Sequence, residues 1–77
     1  MNICLYPRYL SDARIKRIEW LFDYMIELHP LPLHLDDEIV TVYYSDEEDK
    51  ALTKDLRYLR SKRRIIRNRG GTYRLPS

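Results

Sequence analysis

The sequence cannot form an intramolecular disulfide, because its 77 residues contain a single cysteine, Cys4. Small secreted domains usually depend on several disulfides, so one thiol favours a reducing compartment, and we expect a cytoplasmic protein. The sequence also has no apolar run long enough to cross a membrane and no signal-peptide pattern at its start. These absences disfavour the cystine-rich secreted and membrane-spanning classes.

Motifs for catalysis and metal binding are lacking as well. Cys4, His29 and His34 do not have a zinc-site spacing. The carboxylates of residues 36–38 are consecutive, so they point in different directions, and helix capping explains them better than a metal site. The glycine pair at 70–71 is not followed by the Lys and Ser or Thr of a phosphate-binding loop. We therefore expect no enzyme activity, no catalytic residues, no metal and no cofactor.

Charge is abundant, and its two signs are separated along the chain. Residues 36–49 contain seven carboxylates and no basic residue. Residues 50–77 contain ten basic residues and one acidic residue, a net charge of +9, although the whole chain carries only +2. This separation favours a polyanionic partner for the last third of the chain.

The first half of the sequence predicts a long helix. Ser11 or Asp12 can cap its start, and Pro30 ends it because the residue before a proline is disfavoured in helical geometry. Residues 2–6, which precede it, are predicted to form a short strand or an arm. Trp20 and Tyr24 lie four residues apart on a flank of the helix. Apolar residues at helical spacing predict its buried face: Ile15, Ile18, Leu21, Phe22, Met25, Ile26 and Leu28.

The middle of the chain predicts an extended connector and a second, short helix. The alternation of Leu31, Leu33 and Leu35 predicts that all three point inward. Asp36 can cap a helix that continues to about Tyr44, although the β-branched residues of this segment would suit a strand equally. The residues predicted to face the core are Ile39, Val40 and Tyr43.

The last third predicts a third helix and a hairpin. Ser45, followed three residues later by Glu48, is a capping-box pattern that predicts a helix from there to about Lys62. Two β-rich runs, 64–68 and 72–75, then flank the Gly-Gly pair and predict a β-hairpin. Three helices and a C-terminal hairpin predict an α+β fold of the winged helix-turn-helix type, in a single domain spanning residues 1–77.

The segment 54–71, Lys-Asp-Leu-Arg-Tyr-Leu-Arg-Ser-Lys-Arg-Arg-Ile-Ile-Arg-Asn-Arg-Gly-Gly, resembles the DeoR-type winged helix-turn-helix signature. Residues 38–43 are similar to the second helix of that family. The resemblance implies duplex DNA binding and transcription regulation. Three features depart from the family: Arg63 replaces the glycine that closes the helix, the link between the second and third helices is about two residues longer, and that link is acidic. These 77 residues contain no counterpart of the family's sugar-phosphate-binding domain.

The third helix is predicted to present a basic face. Lys50, Lys54 and Arg57 lie opposite its leucines, so the leucines can anchor the helix while the cations meet phosphates or base edges. The arginines at the hairpin tip are predicted to lie along the adjacent minor groove or the DNA backbone. The predicted DNA-binding residues are Lys50, Lys54, Arg57, Arg60, Lys62, Arg64, Arg67, Arg69 and Arg74.

The acidic stretch weighs against DNA binding, because the predicted first turn of the third helix would carry residues 46–49. A helix that docks through its middle avoids this repulsion, and alternatively an acidic side chain accepts a hydrogen bond from a cytosine amino group. The competing hypothesis is a protein-interaction winged helix, with the acidic segment 36–49 contacting a protein partner. A homodimer through the first helix is a further expectation, since one small module gives limited specificity. The small size hints at a phage or mobile-element origin.

Overall fold

A computed structural model describes residues 10–76, and the predicted N-terminal strand lies outside them. The described chain forms three helices followed by an antiparallel two-stranded hairpin, which confirms the α+β class. None of these helices is long and apolar enough to span a membrane. The helices are α1 (Asp12–Leu28), α2 (Glu38–Tyr43) and α3 (Ala51–Ser61), and the strands are β1 (Ile66–Arg67) and β2 (Tyr73–Arg74).

The boundaries of α1 follow from its capping residue and from Pro30. The Ser11 hydroxyl accepts a hydrogen bond of 3.1 Å from the backbone N–H of Arg14, which satisfies a free donor of the first turn. The helix ends at Leu28, directly before the His29–Pro30 peptide bond, which is cis. Both ends agree with the prediction.

The buried face of α1 is narrower than predicted. Ile18, Leu21 and Met25 are buried, and Phe22 packs half-buried against the core. Ile26 is 48% exposed, so its predicted burial is wrong. At about 100° per residue it points well away from the side on which the three buried residues lie.

The connector between α1 and α2 buries one leucine instead of three. Leu33 is buried and forms an antiparallel bridge with Tyr73, with N···O distances of 2.7 and 3.0 Å. Leu31 and Leu35 are 66% and 47% exposed, so the prediction that they point inward is wrong. Strand alternation requires an extended backbone, and here a single bridge is followed by a turn in which the Asp37 N–H donates to the carbonyl of His34.

The segment after the connector is a helix and not a strand, and Asp37 caps it instead of Asp36. The Asp37 carboxylate accepts hydrogen bonds from the N–H groups of the next turn and from the Tyr24 hydroxyl of α1. Val40 faces the core as predicted. The cap lies one residue later than predicted. The buried residues of this segment are Val40 and Tyr44, which directly follows α2.

The predicted inward positions of Ile39 and Tyr43 are therefore wrong. Ile39 is 56% exposed and Tyr43 is 39% exposed. The Tyr43 ring is not free, since it stacks on Trp20 with a centroid distance of 3.7 Å. Trp20 in turn stacks on Tyr24 at 5.4 Å, so the flank of α1 packs against α2 through three rings.

The start of α3 differs most from the prediction. The helix begins at Ala51, and the capping box of Ser45 and Glu48 does not form. The Ser45 hydroxyl instead donates to the carbonyl of Val42, which closes the last turn of α2. Lys50 precedes α3 in a left-handed conformation with φ 69° and makes no side-chain cap. Residues 45–50 are thus a link outside α3.

The hairpin after α3 is shorter than predicted and ends in a glycine turn. Ile66 pairs with Arg74 and Arg67 with Tyr73, and the Asn68 N–H donates to the carbonyl of Thr72 at 2.7 Å. Because Tyr73 also pairs with the connector, β2 joins the hairpin to the first half of the chain. The buried residues of all elements form one core: Leu10, Ile18, Leu21, Met25, Leu33, Val40, Tyr44, Ala51, Leu56, Tyr58, Leu59, Ile65 and Tyr73.

Candidate nucleic-acid interface

The solvent side of α3 is basic, and its opposite side is anchored in the core. Leu56 and Leu59 are almost fully buried. Lys54 and Arg57 are exposed on the other side of the helix, and Lys50 is exposed just before its first turn. This placement agrees with the prediction from helical spacing. All nine predicted DNA-binding residues are exposed.

The two central cations of this face differ in their surroundings. The Lys54 ammonium lies 2.9 Å from a carboxylate oxygen of Glu48, and the hydrogen bond lowers the pKa of Glu48. Both side chains are more than half exposed, so the pair is weak and readily exchanged for another anion. Arg57 forms no ion pair with any residue in 10–76. Its guanidinium is therefore available to an external acceptor.

Arg14 of α1 joins this face, although it was not among the predicted residues. An open groove of about 460 Å³ lies between the start of α1 and the outer side of α3. Its lining residues are Arg14, Lys54, Arg57, Tyr58 and Ser61. Three cations from two helices thus border one concave surface, which widens the basic face beyond α3.

Lys62 and Arg64 lie elsewhere. They line a different groove of about 540 Å³, against α1 and close to the carboxylates of Glu19 and Asp23. The Arg64 guanidinium lies 5.6 Å from the centroid of the Phe22 ring. The structure therefore separates these two predicted residues from the face that contains Arg57.

The tip of the hairpin presents further cations on a turn held by hydrogen bonds. Arg67 and Arg69 are exposed on either side of Asn68. The Asn68 amide donates to the Thr72 hydroxyl at 2.9 Å and accepts from the Arg74 guanidinium at 3.0 Å. Arg74 is thus partly engaged in holding the hairpin, which leaves Arg67 and Arg69 as its available cations.

Asp55 fixes the orientation of α3 from inside the protein. Its carboxylate has no solvent exposure and contacts the guanidinium groups of Arg14 at 3.3 Å and Arg17 at 2.6 Å. It also accepts a hydrogen bond of 2.7 Å from the Tyr44 hydroxyl. One carboxylate therefore connects α1, the end of α2 and α3, so the basic face is held at a defined angle to the rest of the domain.

The electrostatics of this network favour the charged arginine and the neutral phenol. The hydrogen bond to Asp55 raises the pKa of Arg17. Burial of the Tyr44 hydroxyl and its hydrogen bond to Asp55 both raise the pKa of Tyr44. Tyr44 accordingly stays a hydrogen-bond donor throughout the neutral range. The sequence signal for this network is Asp55, because helical spacing places its carboxylate next to the buried leucines of α3.

The acidic link is less of an obstacle than the sequence indicates. The prediction that its carboxylates occupy the first turn of α3 is wrong, because they precede the helix. Glu47 forms an ion pair of 2.7 Å with Arg17, and Glu48 is paired with Lys54. Asp46 and Asp49 are exposed and form no ion pair within residues 10–76.

An exposed apolar strip runs along the outer side of α2. Ile39 and Val42, three residues apart, are 56% and 68% exposed. Tyr43 adds its edge to the strip. Large apolar side chains grouped on one helix face are typical of contact surfaces.

Within residues 10–76 no three potential metal ligands cluster, so the described surface is best characterised by its charge and its apolar strip. Comparison with known proteins adds no relative: no family model matches the sequence, and neither a curated protein nor a solved structure is similar to it.

Proposed function

We propose that this chain is a winged helix-turn-helix domain that binds duplex DNA and acts as a small transcriptional regulator. In this proposal α2 and α3 are the helix-turn-helix, α3 enters the major groove, and the β1–β2 hairpin is the wing. The order of the elements supports it, as does the bridge of Leu33 to β2, which attaches the hairpin to the helices. The resemblance of residues 54–71 to the DeoR-type signature supports it further.

The observation that carries the proposal is the position of Arg57. It is exposed on the outer side of a helix whose inner side is buried, and no carboxylate of residues 10–76 neutralises it. An arginine in this setting can fork onto the edge of a guanine or onto a phosphate. Lys54 borders the same groove and can exchange its exposed partner Glu48 for a phosphate of the DNA backbone, whereas Arg14 stays paired with the buried Asp55.

The test is a titration of a labelled duplex at several salt concentrations, with Arg57→Ala compared with the wild type. We expect binding that weakens steeply with salt, and a loss of about 1–3 kcal/mol for the variant. Lys16→Ala is the matched control, because Lys16 is an exposed cation of α1 that forms no ion pair within the described residues. Alanine suits both helical positions, so folding should be preserved.

Absence of any complex at low salt would overturn the proposal. Equal losses for Arg57→Ala and Lys16→Ala would instead show that binding depends on net charge and not on the face of α3. If the wild type binds, selection from a random duplex pool would establish whether it prefers a sequence.

The apolar strip on α2 favours a second candidate function, a domain that docks on another protein. Ile39 and Val42 would form the centre of that contact and the neighbouring carboxylates its rim. A folded wild type that shifts no duplex at low salt would favour this candidate over DNA binding.

A further inference from the structure

Three arginines surround a groove where α3 meets β1. The groove has a volume of about 410 Å³ and opens to solvent. Its lining residues are Arg60, Arg63, Ile65, Ile66, Arg67 and Pro76. Arg63 was not among the residues predicted to bind DNA, and the groove brings it together with two that were.

The backbone of Arg63 adopts a conformation that suits glycine better. Its φ is 59°, in the left-handed region, and it directly follows the last residues of α3. Its N–H donates to the carbonyl of Arg60 at 2.9 Å, and the next N–H, of Arg64, donates to Leu59 at 3.0 Å. These two bonds form a Schellman motif, whose left-handed residue is usually glycine because a Cβ crowds the backbone there.

Packing does not account for the arginine at this position. Arg63 is exposed, and its side chain makes no hydrogen bond or ion pair within residues 10–76. The fold alone would be more stable with glycine. Strained residues of this kind concentrate at functional sites, where a side chain is needed.

The charge of the groove is uncompensated. No carboxylate lines it, and Arg60 and Arg67, like Arg63, form no ion pair within the described chain. Arg14, Arg17 and Lys54, by contrast, each contact a carboxylate. Guanidinium groups repel one another in a shared groove, and an anion with several acceptor oxygens relieves that repulsion. Phosphate matches the forked donors of arginine.

We propose that Arg60, Arg63 and Arg67 bind a backbone phosphate of the DNA, with Arg63 as a contact residue held in place by its strained backbone. This inference rests on the proposed function and deepens it. The groove lies between α3, which is proposed to enter the major groove, and the β1–β2 hairpin, the proposed wing. One strand of the duplex would pass there, between the contacts of α3 and those of the wing.

The test combines thermal unfolding with duplex titration for Arg63→Gly and Arg63→Lys. The glycine variant should melt higher, by about 4–8 °C, because it removes the left-handed strain in a domain of this size. Its DNA affinity should nevertheless fall, and the slope of log affinity against log salt should decrease by about 1. The lysine variant keeps the charge, so its melting temperature and salt slope should stay near those of the wild type.

The two proposals fail in different ways. A wild type that binds no duplex would overturn the proposed function and, with it, the phosphate contact. A wild type that binds, beside a glycine variant of higher melting temperature and unchanged salt slope, would overturn the contact alone. A lysine variant with a salt slope as low as that of the glycine variant would also overturn it, because a cation that contacts a phosphate should still release a counterion.

Discussion

Asp55 shows how a single charged side chain determines the arrangement of a small domain. Its carboxylate is fully buried, yet two guanidinium groups and a phenol contact it. Burial of a lone carboxylate would be prohibitive, so these partners are a condition of the fold. They come from parts of the chain that are distant in sequence, and therefore hold three helices together at one point.

Replacement of Asp55 by Asn should strongly destabilise the protein. The substitution leaves Arg17, whose side chain is only 14% exposed, without its main acceptor, and we expect a loss of about 3 kcal/mol or more in the free energy of unfolding. Urea unfolding followed by circular dichroism measures it. Tyr44→Phe, which removes one donor to the same carboxylate, should lose about 1 kcal/mol and gives a milder variant if Asp55→Asn does not fold.

Glu47→Gln is the matched control for the network. It removes the other partner of Arg17 but affects a more exposed pair, so we expect a loss below about 1 kcal/mol. If Glu47→Gln proved as damaging as Asp55→Asn, burial would not be what gives Asp55 its importance.

The residue pattern predicted correctly that Lys54 and Arg57 are exposed, but it did not predict that Asp55 is buried. Lys54 and Arg57 were placed on the solvent side of α3 from helical spacing alone. Asp55 lies between them in sequence, and its partners Arg14 and Arg17 belong to α1. Periodicity describes one element at a time, so it cannot assign partners across elements.

At the scale of elements, local signals predicted α1 well because they agree with one another. A capping serine, an apolar stripe and a terminating proline all indicate the same helix. The capping-box pattern of Ser45 was misleading because its hydroxyl closes α2 instead. For α2, the cap lies one residue later than predicted, and Ile39 and Tyr43 are exposed where they were predicted to be buried. Only packing against the rest of the domain decides which side of so short a helix is buried.

The hairpin tip contains two glycines with different conformational roles. Gly71 has φ 89°, whereas Gly70 has no positive φ, and a Cβ would meet no atom within 4 Å at either position. Both positions therefore have room for a methyl group, and the backbone conformation is what distinguishes them.

Gly71→Ala should lower the free energy of unfolding by about 1 kcal/mol, since alanine is strained in the left-handed region. Gly70→Ala should leave it unchanged or raise it slightly, because alanine reduces the freedom of the unfolded chain. Urea unfolding of the two variants side by side makes the comparison. Equal losses would mean that the turn does not have the conformation described.

At the scale of the whole molecule, the basic face attracts a polyanion, whereas the acidic link repels it. Glu47 and Glu48 are paired with cations, which leaves Asp46 and Asp49 as the unpaired carboxylates of the link within the described residues. Their charges precede α3 directly and should repel phosphates that approach it.

Replacement of both Asp46 and Asp49 by Asn should therefore strengthen DNA binding. A unit charge about 10 Å from a phosphate in water contributes about 0.4 kcal/mol, so we expect a gain of about two- to fourfold at low salt that disappears as salt is added. Titration of a labelled duplex measures it. Glu27→Gln, about 20 Å along α1 from Arg14, removes a distant charge and should have little effect.

The bridge between Leu33 and Tyr73 has a consequence for how the protein is made. Leu33 is synthesised 40 residues before Tyr73, its bridge partner in β2. Until then the nascent chain carries an uncovered apolar surface, and the sheet cannot close. The domain should thus acquire its native structure only after β2 has been synthesised.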